Sequence, residues 1–94
     1  MEQAFIAAVL AAREKAAAAG VRLRPMAAED VMKQAKRALE GSRPSDGFDA
    51  LVQAGHPEWT LEALAVDKRY TALFTDEQAN TALMRLLEAG HWRI

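Results

Sequence analysis

A chain of 94 residues is long enough for one domain and too short for two ordinary ones. Twelve basic residues against 13 acidic leave a net charge of −1, so charge balance demands neither nucleic acid nor an anionic membrane. The sequence contains no cysteine, which excludes disulfides, thiolate metal sites and a cysteine nucleophile.

Hydrophobic residues make up 51% of the chain, but alanine supplies much of that share. Alanine favours helix and buries little area, so the core should be thin, closely packed and dependent on a few anchors. Those anchors are Phe5, Phe48, Trp59, Tyr70, Phe74 and Trp92. The balance of Ala, Arg, Glu and Leu suggests a GC-rich bacterial source.

The first helix is expected over 2–19. Phe5, Ile6, Val9, Leu10, Ala12 and Ala16 share one face, and Gly20 stops it. Glu2 precedes the apolar run 4–12 and no basic residue does, which argues against a secretory signal. No run approaches the roughly 20 apolar residues of a membrane span. A soluble, cytoplasmic protein is the expectation. Residues 21–25 alternate apolar and basic, as in a connector or brief edge strand, and Pro25 disfavours helix at Arg24.

The second helix is expected over 26–40, with Ala28, Val31, Met32, Ala35, Ala38 and Leu39 inward. Glu29, Lys33, Lys36, Arg37 and Glu40 face out, and the spacings Glu29–Lys33 and Lys36–Glu40 suit i,i+4 ion pairs. Gly41 is the expected stop. The stretch 41–47 is rich in Gly, Ser and Pro and reads as the main loop. A short third helix over 48–54 would be capped by Ser45 or Asp46 and buried through Phe48, Leu51 and Val52. Thr60 can cap a fourth helix from Leu61 to about Asp67, with Leu61, Leu64 and Ala65 inward and Glu62 in its first turn. Further helical turns follow over 68–74.

The strongest local signal is Thr75 to Gly90. Thr75 and Gln78 form a capping box, and Asp76 and Glu77 complement the helix dipole. Ala79, Ala82, Leu83, Leu86 and Leu87 make the apolar stripe, with Gln78 and Arg85 off it. The whole reads as an all-α single domain of four to five short helices, a small and partly orthogonal bundle over residues 1–94. The segments 51–56 and 86–91 read alike, and a shared glycine stop accounts for that.

No chemistry stands out. His56 and His91 follow glycine stops, outside any HExxH or Cys/His spacing, and the serines and threonines sit at caps or in loops. There is no GxSxG and no phosphate loop. The expectation is a non-enzymatic protein with no cofactor and no metal, acting by binding another protein or a second copy of itself. Val21, Leu23, Met26, Trp92 and Ile94 form the candidate contact patch.

The alternative is a DNA-binding regulator. Residues 22–43 carry a net +3 and residues 44–94 a net −4. Arg22, Arg24, Lys33, Lys36, Arg37 and Arg43 would make the phosphate contacts. Residues 60–65 read like the opening of a helix-turn-helix, but Arg69 stands where the tight-turn glycine is expected.

Overall fold

The structure, a computed structural model, describes residues 1–90. Among the described residues the chain forms five α-helices and no strand: α1 (Glu2–Ala18), α2 (Val31–Glu40), α3 (Phe48–Gln53), α4 (Leu61–Ala65) and α5 (Asp76–Glu88). Short 3₁₀ turns at Ala28–Asp30, Pro57–Trp59 and Thr71–Leu73 lead into α2, α4 and α5. The all-α, single-domain reading holds. The Cα radius of gyration is 12.0 Å, close to the roughly 12 Å of a folded chain this long.

Helix α1 ends as its sequence specifies. The Gly20 N–H reaches the Ala17 carbonyl and the Val21 N–H reaches the Ala16 carbonyl, with Gly20 at φ +89°. Leu51 to His56 closes α3 by the same pair of bonds, and at the end of α5 the Gly90 N–H reaches the Leu87 carbonyl as the Gly55 N–H reaches that of Val52. Gly41 differs. It leaves α2 in extended backbone at φ −85° and ψ 174°, so no left-handed stop is used there.

Helix α2 starts five residues later than its periodicity suggests. Ala27 is extended (ψ 149°), Ala28 is exposed, and the first turn is the tight one over Ala28–Asp30. Met26 stays in the connector and packs its side chain on the core. Val31, Ala35 and Leu39 then supply the buried stripe. Neither expected i,i+4 ion pair forms among the described residues. Glu40 instead accepts a hydrogen bond from Gln78 Nε2 at 2.6 Å, across to α5.

Gly47, not Ser45 or Asp46, is the N-cap of α3, and it sits at φ +78°. A Cβ there would lie 1.9 Å from Leu23 Cδ2, so only glycine lets the connector and this loop approach so closely. Thr60 caps α4, its hydroxyl accepting the Ala63 N–H at 3.1 Å. Past α4, the Arg69 side chain and backbone N–H both bond Asp67 and hold its carboxyl below the usual carboxylate range.

The capping box of α5 is complete. Thr75 Oγ1 accepts the Gln78 N–H at 3.1 Å and Gln78 Oε1 accepts the Thr75 N–H at 2.9 Å. Thr75→Ala should lower the unfolding free energy by about 1 kcal/mol. Urea unfolding followed by circular dichroism checks this, and an unchanged midpoint would contradict it.

Three buried clusters hold the helices together. The largest joins Phe5 and Val9 of α1, Val31, Ala35 and Leu39 of α2, Ala65 of α4, Tyr70, Phe74, and Ala82 of α5. Phe5 meets Tyr70 and Phe74 edge-on, with ring centroids 5.5 and 5.2 Å apart. A second cluster joins Ala16, Val21 and Leu51, with Leu23 and Trp59 against it. The third joins Phe48, Ala63 and Leu86. Ala16, Ala35, Ala65 and Ala82 are wholly enclosed.

Candidate binding cleft and the buried pair behind it

Helix α4 is five residues long and covered on both sides. Ala65 joins the cluster of α1 and α2, and Ala63 joins that of α3 and α5. Glu62, read from sequence as a solvated helix-start residue, therefore has no path to water and is 0% exposed. Its carboxylate is fully engaged. Oε2 accepts the Ser45 N–H at 2.8 Å and Arg85 Nη1 at 3.2 Å, and Oε1 accepts the Ser45 hydroxyl.

Arg85, expected off the apolar stripe, points inward with a side chain only 9% exposed. It also donates to the carbonyls of Ala38 at 2.8 Å and Gly41 at 2.7 Å. The pair thus ties both ends of the 41–47 loop to α4 and α5, and no buried side-chain polar atom among the described residues lacks a partner.

In front of that loop lies an apolar cleft of about 80 Å³. Val9 and Arg13 of α1, Leu23 and Met26 of the connector, and Gln34 and Ala38 of α2 line it. So do Ser45 and Asp46 of the loop, Leu51 of α3, Trp59, and Leu61 and Leu64 of α4. A shallower, more polar trough of about 220 Å³ shares Arg13, Met26, Gln34 and Asp46 with it and adds Arg24, Pro25 and Asp30. Asp46 Oδ2 accepts the Arg24 N–H at 2.9 Å, and Arg13 Nη2 donates to the Arg24 carbonyl. These two bonds tie connector, loop and α1 together at the rim.

The expected contact patch is divided. Val21 is buried beside Ala16 and Leu51, so it completes the core and offers no surface; this corrects its assignment to the patch. Leu23 and Met26 are half-buried and line the cleft. Trp92 and Ile94 lie outside the described residues, as does His91.

The six basic residues are spread over three elements. Lys33, Lys36 and Arg37 are exposed on α2, as are Glu40 on that helix and Glu29 in the turn before it. Arg22 and Arg24 stand on the connector and Arg43 in the 41–47 loop. His56 stacks on Trp59 with ring centroids 3.9 Å apart and planes 9° from parallel, and its Nδ1 lies 3.4 Å from Glu58 Oε2.

Sequence reasoning did not foresee Val9, Arg13, Gln34, Ala38, Leu51, Leu61 and Leu64 as cleft residues. The usable signal was the alternation at 21–24, which marks Leu23 as an inward residue beside a polar rim. No helix among the described residues is long and apolar enough to cross a membrane. Comparisons with protein-family models, with curated proteins and with solved structures found no match to this chain.

Proposed function

We propose that the chain is a non-enzymatic binding module that receives one aliphatic side chain of a protein partner in the cleft between α1, the connector and α3–α4. The size of the cleft carries this reading. About 80 Å³ falls well short of the roughly 300–1,000 Å³ of small-molecule sites. It is also smaller than the cavity of about 150 Å³ that takes benzene. An open, apolar depression of this size suits a single side chain of a larger partner, which is how anchor residues fill interface pockets. The rim supplies Arg13, Gln34, Ser45 and Asp46 for polar contacts around such an anchor. A second copy of the chain is one candidate partner.

The alternative, DNA binding, draws on the exposure of Lys33, Lys36 and Arg37, none of which is ion-paired among the described residues. Glu40 on the same helix and Glu29 in the turn before it reduce the field there.

Selection from a phage-displayed library of random linear peptides tests the leading reading. The selected peptides should share one aliphatic residue and lose binding to Ala38→Leu, which fills the cleft from α2, provided circular dichroism shows that variant folded. Failure to select any binder, or binders indifferent to Ala38→Leu, would overturn it. Titration of labelled mixed-sequence duplex DNA at low and moderate salt tests the alternative, which requires salt-sensitive binding.

A further inference from the structure

The geometry points to the 41–47 loop as a strap that closes the binding cleft and can swing away without disturbing the core. The inference rests on the cleft being the site of binding. Within the loop, Ser42, Arg43, Pro44 and Asp46 are exposed, and Ser45 and Gly47 are half-buried. Lifting residues 42–46 would therefore cost little apolar burial.

What holds the strap is polar and local. Glu62 takes the Ser45 N–H and hydroxyl from behind, and Asp46 takes the Arg24 N–H across the cleft rim. If Ser45 leaves, Glu62 still keeps Arg85 at 3.2 Å, so the buried carboxylate is not stranded without its counter-charge. Arg85 likewise keeps the Ala38 and Gly41 carbonyls, which fixes the near end of the strap at the end of α2. The far end is fixed at Gly47, where Leu23 lies against the backbone. Movement is thereby confined to the residues between two anchored glycines. Segments with few buried apolar contacts and a handful of hydrogen bonds open at a fraction of the global unfolding free energy.

Trp59 lines the cleft and reports directly on it. In a Trp92→Phe background it is the one tryptophan left, since the chain has two. Acrylamide quenching of Trp59 fluorescence should be intermediate in that parent, where the residue is half-buried. It should rise clearly when Ser45→Ala and Asp46→Ala are introduced together, with helical content and unfolding cooperativity retained. Glu62→Gln, if circular dichroism shows it folded, should raise it as well. Thr75→Ala, which destabilises α5 away from the cleft, should leave quenching unchanged.

Equal quenching in the parent and in the folded Ser45→Ala/Asp46→Ala variant would overturn the strap. So would an equal rise in Thr75→Ala, which would mark general loosening. Peptide selection separates the two readings. Binders with unchanged quenching remove the strap alone, and raised quenching without binders removes the binding function while the strap stands.

Discussion

Glu62→Ala should lose roughly 3–5 kcal/mol of unfolding free energy, the usual consequence of removing one partner of a buried ion pair. The reason is the asymmetry of the pair. In the native protein Arg85 is almost wholly enclosed and faces a carboxylate 3.2 Å away. Without Glu62 the guanidinium keeps only two carbonyls, and the Ser45 N–H loses its acceptor. Marginal domains have about 5–15 kcal/mol in total, so a substantial unfolded fraction at ambient temperature is expected.

Replacing both members, as Glu62→Leu with Arg85→Met, should recover much of the loss, because no uncompensated charge remains. Recovery will stop short of the native value, since the Gly41 carbonyl and the Ser45 N–H still lose their partners. Urea unfolding of Glu62→Leu, Arg85→Met and the double variant completes the cycle. A Glu62→Ala loss of less than about 1 kcal/mol would show that the carboxylate is not enclosed as described.

Phe5→Ala should cost a comparable amount, roughly 3–5 kcal/mol, as aromatic truncations in tight cores do. Phe5 is 0% exposed, and it is the contact through which α1 meets Tyr70 and Phe74. Phe5→Leu retains most of the burial and gives up two edge-to-face contacts, so its loss should be nearer about 1–3 kcal/mol. The ordering Phe5→Ala above Phe5→Leu, read from thermal or urea midpoints, is the check. Equal losses would mean that the ring geometry contributes nothing beyond volume.

Helix ends were the most legible feature of the sequence because their determinants are local. Thr75 with Gln78, Thr60 with Ala63, and the glycines at 20 and 55 act over three to five residues, and all behave as their residue types require. Interior polar groups were not legible, because their partners are remote in sequence. Glu62 meets Ser45 and Arg85 at separations of 17 and 23 residues, and Gln78 meets Glu40 at 38. Glu62 stands in the first turn of a short helix, where a carboxylate is expected in water; only the packing of α4 between two clusters turns it inward.

The cleft was legible in part for the same reason. The apolar members Leu23 and Met26 stand out within a connector, whereas Val9, Leu51 and Leu64 belong to helices whose faces already have an interior to fill. The basic residues at 22–43 cluster along the sequence, and the structure distributes them over the connector, α2 and the 41–47 loop.

Four enclosed alanines set the spacing of the helices, and this limits how the chain can vary. Ala16, Ala35, Ala65 and Ala82 leave no volume into which a longer side chain could grow. A bulkier residue at any of them would have to push a helix outward and part the neighbouring clusters. Substitutions are accommodated more cheaply at exposed positions such as those of the connector and the 41–47 loop, where a change of side chain leaves that spacing untouched.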